Sequence, residues 1–521
     1  MTDHSPPTGP VAREEVTGRP HAHERENADA YGKVYDVAVI GAGVVGSAIA
    51  RDLSGHDLSV VLLDARDDVG DGTSKANTAI LHTGFDAKPG TLESRLVRRG
   101  YELLSGYAEE TGIPVERTGA LLVAWNQEEL DALPGLRDKA VANGYEHCEP
   151  VTADEVYRQV PALGPGALGG LTVPDESIIC TWTTTLALAT DARARGATLL
   201  LGHRVEGVER GEGAGQVDGA EQVDGAERGA GATTLRTPHG PVTARWVVNA
   251  AGLGADVLDG LFGHERFTVT PRRGELLVYD KLARPLADRI VLPVPSSRGK
   301  GVLISPTIYG NVMLGPTAED LTDRTDTGTS ESGFDFLLDK GGRLMPTLLE
   351  EEVTASYAGL RAAIDHGDYL IEPSADQGYL LVGGIRSTGL TASLAIAEHV
   401  RGVLAEAGLK LEPRLDLPTP PHMPNLGEAF VRPYQDAALI AEDSAYGRVV
   451  CFCERVTEGE IRDAYLSPLP PAGLDGLRRR TRAMNGRCQG FYCGARVDAL
   501  VATKGGTCPA DKGGTCQEAA E

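Results

Sequence analysis

Cysteine, long apolar runs and positive charge are all scarce in this 521-residue chain. Eight cysteines are too few for a disulfide scaffold of this size, and no run approaches the roughly 18 apolar residues that a membrane span needs. The first 30 residues mix charges, prolines and histidines without the apolar core of a secretory signal. These absences argue against secretion and direct membrane spanning, and we expect a cytoplasmic protein.

Basic residues are outnumbered by acidic ones. The chain has 50 Lys and Arg against 74 Asp and Glu, which gives a formal net charge of −24. A field of that sign repels phosphate backbones and anionic lipids, so we expect no nucleic-acid partner and no direct binding to a membrane surface. At about 150 residues per domain, the length predicts three or four folding units.

Composition marks the segments that are not expected to join a folded core. Residues 1–30 are expected to form a disordered tail, and the low-complexity stretch 211–232 predicts an inserted loop, because Gly/Ala/acidic runs bury too little apolar surface to fold. The Pro-rich stretch 411–446 predicts an extended linker. A compact unit is expected at 447–503, and the repeated KGGTC of 504–521 indicates a flexible tail.

A glycine-rich turn near the start of the ordered chain predicts a dinucleotide site. The apolar strand VYDVAVI (34–40) is followed by Gly41, Gly43 and Gly46 and then by a helical pattern. A second apolar strand ends at Asp64, 18 residues after Gly46. The glycines allow a tight turn and close approach to a pyrophosphate at the helix N-terminus, while the carboxylate accepts hydrogen bonds from ribose hydroxyls.

Three later segments favour FAD over NAD as the dinucleotide. GTSKANTAILHTGF (72–85) is rich in small and hydroxyl residues, which is typical of a loop passing under a flavin, and we call it the flavin loop. WVVNAAGLGAD (246–256) is a strand ending at small residues, which suits packing against the adenosine side of the cofactor. YLLVGGIRSTGLTASLAIAEHV (379–400) places a glycine-rich turn before a helix. The positive end of that helix can stabilise an anionic reduced flavin. The cofactor-binding residues expected in these segments are Thr73, Ser74, Asn77, Ala250, Gly252, Gly384, Gly389, Leu390 and Thr391.

At about residues 34–410, the chain resembles the FAD-dependent amine and hydroxy-acid oxidoreductases of the D-amino-acid oxidase and glycerol-3-phosphate dehydrogenase type. The stretch TSKANTAILHTGFDAKPGTLESRL looks most like the catalytic subunit of anaerobic glycerol-3-phosphate dehydrogenase, and L-2-hydroxyglutarate dehydrogenases carry a similar one. The resemblance implies an α/β fold, with a Rossmann-type FAD-binding domain interleaved with an antiparallel-sheet substrate domain. We expect this oxidoreductase domain at 31–410 and its substrate-side sheet at about 267–350.

Four cysteines near the C-terminus form two close pairs. Cys451 and Cys453 are spaced C-x-C, and Cys488 and Cys493 are spaced C-x4-C. Four thiolates suit zinc or an iron–sulfur cluster, although a C-x-C pair is cramped for one tetrahedral zinc ion. We expect these four cysteines to be the metal ligands.

The sequence CFCERVTEGEI … RCQGFYC resembles the bacterioferritin-associated-ferredoxin-like [2Fe-2S] domain, which many glycerol-3-phosphate dehydrogenase catalytic subunits carry at the C-terminal end. The resemblance implies a [2Fe-2S] cluster in a small C-terminal domain at 447–503. Zinc is the alternative. The thiols of Cys508 and Cys516 lie outside the pattern, and Cys148 and Cys180 are expected to pack in the core.

An anionic hydroxy substrate needs cations for its acid group. The resemblance places Arg361, in SYAGLRAAI, over the flavin at the substrate, although Ala362 stands where the family usually has proline. Arg386, in the turn GGIRSTG, is a second candidate. Arg273 is a weaker one with an alternative role as an ion-pair partner, and Lys300 is interpreted as a loop charge.

The substrate hydroxyl also needs a group to take its proton. His82, within the expected flavin loop, is the candidate general base or flavin contact, with packing in the core as the alternative. His366 and Asp368 are further candidates for the same pocket. Together, His82, Arg361 and Arg386 form the predicted catalytic set.

A flavin beside an iron–sulfur cluster favours a dehydrogenase that feeds an electron carrier, since flavin accepts electrons in pairs and a [2Fe-2S] centre passes them singly. The leading hypothesis is oxidation of sn-glycerol 3-phosphate to dihydroxyacetone phosphate. Electrons would pass to an electron-acceptor protein or membrane-anchoring subunit, then to quinone. The alternatives are a 2-hydroxy acid such as L-2-hydroxyglutarate as substrate, and an electron-transfer subunit of a multi-subunit amine or opine oxidase.

Overall fold

The computed structural model describes residues 30–210, 231–295 and 301–503. Some of the sequence predictions concern residues outside these ranges and have no structural counterpart. They are nearly all of the expected N-terminal tail, most of the 211–232 insertion, Lys300, and the 504–521 tail with Cys508 and Cys516.

The described residues form 22 strands and 12 α-helices. The strands are β1 (Val34–Ile40), β2 (Val60–Leu63), β3 (Ile80–Leu81), β4 (Val115–Glu116), β5 (Ala120–Ala124), β6 (Glu149–Thr152), β7 (Gly169–Val173), β8 (Ser177–Ile179), β9 (Thr198–Leu200), β10 (Gly207–Arg210), β11 (Thr233–Thr237), β12 (Gly240–Asn249), β13 (Thr270–Tyr279), β14 (Ile290–Pro293), β15 (Leu303–Pro306), β16 (Val312–Gly315), β17 (Glu319–Asp320), β18 (Val353–Ala363), β19 (Leu370–Ser374), β20 (Tyr379–Gly383), β21 (Val449–Cys451) and β22 (Val456–Thr457). The helices are α1 (Val44–Leu53), α2 (Leu92–Thr111), α3 (Gln127–Ala142), α4 (Ala153–Gln159), α5 (Thr181–Ala194), α6 (Ala255–Leu261), α7 (Glu331–Leu344), α8 (Gly389–Glu406), α9 (Ala437–Glu442), α10 (Glu458–Leu466), α11 (Leu474–Thr481) and α12 (Gly494–Ala502).

The first large sheet has a parallel centre. Its strand order is β10-β11-β12-β1-β2-β9, with β20 beside β12 and β19 beside β20. Strand β1 runs parallel to both β2 and β12. Its side chains Val37 and Val39 are completely buried, as expected for a strand between layers of helices. Helix α1 packs between α5 and α8.

The second large sheet is mostly antiparallel. Its order is β17-β13-β16-β15-β14-β5-β7-β6, and β18 pairs with β13 along its length. The expected range of about 267–350 covers β13 to β17, but the sheet also takes β5 to β7 from residues 120–173 and β18 from 353–363. Strand pairing across more than 100 residues depends on tertiary packing, which the local pattern of a strand does not specify.

The C-terminal unit has its own small core around the β21–β22 hairpin and helices α10 to α12. Val456, Ile461, Leu477 and Val497 are fully buried there. The stretch 411–446, expected as an extended linker, is fixed to the main body by hydrogen bonds. Among the residues that the structure describes, no helix is long and apolar enough to cross a membrane.

Two short anchors hold that stretch in place. The Met423 amide donates to the Thr111 carbonyl over 2.7 Å. The Arg432 guanidinium is 1% exposed and binds Glu428 over 3.3 Å and Glu460 over 3.1 Å. The stretch is therefore packed between the main body and the C-terminal unit. Its last part is helical and not extended, since it includes α9 (Ala437–Glu442).

Candidate active site

A cavity of about 1840 Å³ lies where the two large sheets and the C-terminal unit meet. Ordinary small-molecule pockets measure about 300–1,000 Å³, so this one has room for an extended dinucleotide and a small substrate together. Its wall takes residues from the ends of β1 and β2, from β13 and β18, and from α11.

The glycine turn after β1 has the close backbone contacts that a dinucleotide site requires. Gly41 has a φ of +111°, and a Cβ there would overlap the carbonyl oxygen of Ala250. A Cβ at Gly46 would overlap the Gly41 carbonyl oxygen, while one at Gly43 would lie 3.2 Å from Ser74 Oγ. At the N-terminus of α1, glycines without side chains therefore line the cavity. Backbone amides at a helix N-terminus suit the binding of a pyrophosphate.

Asp64 lies directly after β2 and lines the cavity. Its carboxylate accepts the Ala42 amide over 2.6 Å and the Arg66 amide over 2.8 Å. Burial raises the pKa of this carboxyl, although the two amides partly offset the effect. The hydrogen bond from Ala42 therefore connects the end of β2 to the glycine turn, at the place where the ribose is expected.

The loop expected to pass the flavin is held by its own side chains. Thr73 Oγ1 donates to the Leu360 carbonyl over 2.8 Å. Asn77 Nδ2 donates to the Ser74 carbonyl and to Thr181 Oγ1. Thr73, Ser74 and Asn77 all line the cavity, but the polar atoms of Asn77 shape the loop.

The remaining cofactor-side predictions divide into two groups. Five of these residues line the cavity: Ala250, Gly252, Gly384, Gly389 and Leu390. Thr391 does not. It is completely buried, and its Oγ1 accepts the backbone amide of His82 over 3.0 Å. Because Thr391 sits in the first turn of α8 facing β3, the structure makes it a support for His82.

His82 faces the cavity and is held by a buried carboxylate. Its Nδ1 lies 3.1 Å from Glu176 Oε2, and Glu176 is completely buried. The other carboxylate oxygen of Glu176 accepts the Thr83 amide and hydroxyl over 2.8 and 2.9 Å. An ionised carboxylate can only accept, so Nδ1 carries the proton and Nε2 is the acceptor. This arrangement fixes the orientation of the His82 imidazole at the cavity wall.

Two arginines meet across the β13–β18 pair at the cavity wall. Arg272 and Arg361 are direct cross-strand partners, and both line the cavity. Arg361 Nη1 donates to the Thr317 carbonyl over 3.4 Å, but no carboxylate among the described residues pairs with Arg361. Burial lowers the pKa of Arg361, and the charge of Arg272 lowers it further. Like charges placed opposite each other destabilise a sheet, so the Arg272–Arg361 pair is a repulsive, positively charged part of the cavity wall.

Gly274 leaves the space that the Arg361 side chain occupies. A Cβ at Gly274 would lie 2.8 Å from Arg361 Nη2. Strand β18 continues through Ala362, which pairs with Pro271. The alanine that replaces the usual proline thus leaves Arg361 within a regular strand.

Arg386 and Arg273 are engaged elsewhere. Arg386 lines the cavity, but its Nη2 lies 3.4 Å from Glu93 Oε2. Arg273 points away from the cavity and binds Glu319 over 2.5 Å and Asp326 over 3.3 Å. Successive side chains of a strand face opposite sides, which is why Arg272 and not Arg273 reaches the site.

His366 and Asp368 do not line the cavity. The Asp368 carboxylate accepts the Leu92 and Glu93 amides over 2.6 and 2.8 Å, and so binds the first turn of α2. His366 is exposed, and its Nδ1 lies 3.1 Å from the Asp368 carbonyl oxygen and 3.2 Å from the Asp368 amide nitrogen. Asp368 therefore stabilises a helix end, and its lowered pKa reflects those amides.

Sequence reasoning missed Glu176 and Arg272. Glu176 precedes β8, and the β3–β8 register pairs Ile80 with Ile178 and Leu81 with Ser177. Continuing that register brings His82 opposite Glu176. The only sequence signal was a short acidic pair in front of an apolar run.

The four C-terminal cysteines gather at one place. The thiols of Cys451, Cys453 and Cys488 all act on the pKa of Cys493, so the four side chains are neighbours. Burial and the neighbouring thiols raise the pKa of Cys493 to about 12. Backbone amides at 490–492 lower the pKa of Cys488. A four-sulfur set with amide donors aimed at sulfur fits an iron–sulfur cluster.

The cysteine-bearing loops lie between the cavity and the surface. Gln489, beside Cys488, lines the cavity and donates to the Thr354 carbonyl over 3.1 Å. On the outer side, Phe452, Phe491 and Tyr492 are 73%, 84% and 79% exposed. A centre held by these cysteines would have the cavity on one side and exposed aromatic rings on the other.

The C-terminal unit also places an arginine in the cavity wall. Arg482 is buried, lies 4.1 Å from the centre of the Tyr309 ring and binds Glu454 over 3.0 Å. The hydroxyl of Tyr309 contacts the thiol of Cys180 over 3.2 Å. Cys180 and Cys148 are both buried, as expected of packing residues.

The fold and the site define a flavoprotein oxidoreductase with an iron–sulfur unit. Residues 36–402 match the family model described as FAD dependent oxidoreductase, and residues 449–503 match the BFD-like [2Fe-2S] binding domain. The chain belongs to the FAD-dependent oxidoreductase family. The Rossmann-type and antiparallel-sheet fold and the two cofactors, FAD and [2Fe-2S], are therefore as predicted.

Several proteins resemble the chain over much of its length. It is 33% identical over 473 residues to the glycerol 3-phosphate dehydrogenase of Caloramator mitchellensis, covering 90% of this chain and 94% of the relative. It is 30% identical over 371 residues to the glycerol 3-phosphate oxidase of Mycoplasma pneumoniae, covering 70% and 93%. It is also 25% identical over 502 residues to one subunit of the anaerobic glycerol-3-phosphate dehydrogenase of Escherichia coli strain K12, covering 89% and 88%.

A solved structure shows the same fold. The L-alpha-glycerophosphate oxidase of Mycoplasma pneumoniae, dithionite reduced and with FAD bound, superposes with a TM-score of 0.67 at 27% identity. The superposition covers 75% of this chain and 99% of that one.

Replacing Gly46 with alanine is expected to weaken FAD binding at least about tenfold, because the new Cβ would displace the Gly41 carbonyl. FAD affinity can be measured by quenching of flavin fluorescence. Gly106→Ala is the matched control, since a Cβ there meets nothing within 4 Å and lies inside α2. Equal affinities of the two variants would contradict this account of the turn.

Cys488→Ser is expected to abolish the visible absorption of the cluster while the flavin band persists at saturating FAD. The cluster is lost because one of its four expected ligands is missing. The flavin persists because the C-terminal unit has a core separate from that of the main body. Iron content and absorption spectra measure both cofactors. Cys148→Ala, in the core of the main body, should retain both, and loss of the cluster there would count against the assigned ligand set.

Proposed function

We propose that the protein oxidises sn-glycerol 3-phosphate to dihydroxyacetone phosphate, with FAD as the first electron acceptor and the [2Fe-2S] cluster as the second. The observation that carries this proposal is the Arg272–Arg361 pair, which shares a cavity with His82. The names of the two similar dehydrogenases and of the similar oxidase support the same substrate.

The Arg272–Arg361 pair suits a phosphate dianion. Arg361 brings a guanidinium that no described carboxylate neutralises, and Arg272 adds a second one that also binds the half-exposed Asp320 over 2.6 Å. A guanidinium fork matches the oxygens of a phosphate with two parallel hydrogen bonds. Bound there, the phosphate would relieve the repulsion between the two arginines and orient the rest of the substrate.

The proton acceptor suits a secondary hydroxyl. With Nδ1–H donated to Glu176, the Nε2 atom of His82 can take the hydroxyl proton as the carbonyl forms. Glu176 stabilises the imidazolium that results, and Thr83 and Thr391 hold the backbone and carboxylate in place. When bound, FAD supplies a hydride acceptor and the cluster carries electrons singly.

The electron acceptor is proposed to be a partner protein, with quinone further along. The exposed Phe452, Phe491 and Tyr492 beside the cysteines are the face where such a partner would approach. We propose a cytoplasmic protein whose membrane association, where it occurs, comes through that partner.

Anaerobic absorbance titration of the holoprotein tests the substrate. Glycerol 3-phosphate is expected to bleach the flavin band, and L-2-hydroxyglutarate at the same concentration is expected to leave it oxidised. Bleaching by L-2-hydroxyglutarate alone would replace the proposed substrate with a 2-hydroxy acid. A flavin that dithionite reduces and neither compound bleaches would contradict substrate oxidation and favour an electron-transfer role.

A further inference from the structure

Residues 66–75, which follow Asp64 and run into the expected flavin loop, are held by the C-terminal unit. Asp68 lies in this segment, and its side chain is only 4% exposed. Its carboxylate accepts two bonds from Arg480, Nη1 to Oδ2 over 2.7 Å and Nη2 to Oδ1 over 2.8 Å. Arg479 adds a third over 3.0 Å. Such a bidentate, charge-assisted contact is among the stronger polar interactions in proteins.

Arg479 extends the contact to the cavity wall. Its Nη1 binds Asp71 over 2.6 Å, and Asp71 also binds Lys75 over 2.8 Å. All three residues line the cavity. The pKa of Asp71 is lowered because Lys75, Arg479 and Arg66 together outweigh the effect of burial. A cation from the C-terminal unit therefore neutralises a carboxylate of the FAD-binding segment.

The contact is built into the backbone of α11. A Cβ at Gly476 would overlap Asp68 Oδ2, so the helix approaches the carboxylate as closely as glycine allows. Arg480 is 5% exposed and is fixed further by the carbonyls of Leu469 and Gly476, each over 3.1 Å. An exposed ion pair would have neither the burial nor this support.

We infer that α11 is a latch on the FAD-binding segment 66–75, so that FAD affinity and retention of the [2Fe-2S] cluster are thermodynamically coupled. Helix α11 lies between the two cysteine pairs in the sequence, so its position depends on the unit that holds the cluster. Without α11, Asp68 loses all three of its arginine bonds. Breaking one side of a buried ion pair is strongly destabilising.

The coupling works in both directions, because a change in one binding equilibrium caused by the other is reciprocal. Typical coupling free energies correspond to about 5–150-fold in affinity. Loss of the cluster is therefore expected to raise the dissociation constant of FAD by a factor in that range. Loss of FAD is expected to speed the release of iron. The inference concerns cofactor binding and does not depend on which substrate is oxidised.

The test uses the full chain with its cluster reconstituted. Arg480→Met keeps an unbranched apolar stem and removes the guanidinium. Arg496→Met is the control because Arg496 pairs with Glu458 inside the C-terminal unit. FAD affinity is measured by flavin fluorescence, and iron is measured in parallel. Arg480→Met and the cluster-free Cys488→Ser should both bind FAD about 5–150-fold more weakly, while Arg496→Met stays within about twofold. Unchanged affinity in the first two variants would overturn the inference.

A second variant separates the latch from misfolding of the C-terminal unit. Asp68→Asn changes the FAD-binding side of the contact and leaves every residue of the cluster unit intact. The latch predicts faster iron release from this variant in the presence of a chelator, and slower release when FAD is saturating. Iron release at the wild-type rate, with or without FAD, would overturn the inference even if Arg480→Met failed to fold.

Discussion

Replacing His82 with glutamine is expected to slow flavin reduction by glycerol 3-phosphate about 10²–10⁴-fold, the usual contribution of a positioned general base. Glutamine keeps a polar side chain near Glu176 but has no group that can take the hydroxyl proton. Anaerobic rapid mixing, followed at the flavin band, measures the rate directly. FAD affinity should stay within about threefold, since His82 contributes to orientation of the proton acceptor and not to the glycine turn.

A substitution at Glu176 tests whether this carboxylate is needed to orient His82. Glu176→Gln is expected to lower the same rate at least about tenfold, because an amide can turn either its oxygen or its nitrogen toward Nδ1 and no longer fixes the tautomer. Asp175→Asn is the neighbouring control, since Asp175 pairs with the largely exposed His147. Equal rates for the two variants, or a wild-type rate for His82→Gln, would show that His82 is a packing residue.

Replacing Arg361 with methionine is expected to lower kcat/KM for glycerol 3-phosphate about 10²–10³-fold. Two or more charge-assisted hydrogen bonds to the phosphate, at about 1.5–3 kcal/mol each, account for that size. Steady-state assays with an artificial electron acceptor measure it. Uncharged glycerol gives an internal comparison, because the preference for glycerol 3-phosphate over glycerol should shrink by a similar factor.

The loss of kcat/KM in Arg361→Met can be compared with the losses at three other arginines. Arg272→Met should give a smaller loss, since Asp320 already shares its charge, and Arg386→Met a smaller one still, since Glu93 binds it. Arg236→Met, at an exposed pair with Glu209, should leave kcat/KM unchanged. An equal or larger loss in Arg386→Met than in Arg361→Met would move the anion site to the α8 turn.

Local features of the site could be predicted from the sequence. The glycine turn and Asp64 belong to one strand–helix–strand unit, in which spacing along the chain determines position in space. The four cysteines fall within one small unit with its own core, so their grouping followed from the chain itself. Arg361 was predicted from the resemblance to a known family, and His82 from its place in the expected flavin loop. The structure places both at the cavity.

Features that depend on tertiary register could not be predicted. The choice between Arg272 and Arg273 depends on which face of β13 meets the cavity. Both faces of this strand carry charged residues, so the alternation of apolar and polar residues does not show which face is turned toward the cavity. Glu176 reaches His82 only through the β3–β8 register, 94 residues along the chain. The pairing of Asp68 with Arg480 spans 412 residues and has no local pattern at all.

We propose that the substrate is oxidised in one cavity and that its electrons pass to the cluster unit, which forms part of the wall of that cavity. Anaerobic rapid mixing of the holoprotein with glycerol 3-phosphate, observed by absorbance and by freeze-quench electron paramagnetic resonance, tests it most directly. We expect the flavin band to fall first, at a rate that rises with substrate concentration, and the signal of a reduced [2Fe-2S] cluster to follow. A fully reduced flavin beside a cluster that stays oxidised would show that electrons do not pass from the flavin to the cluster.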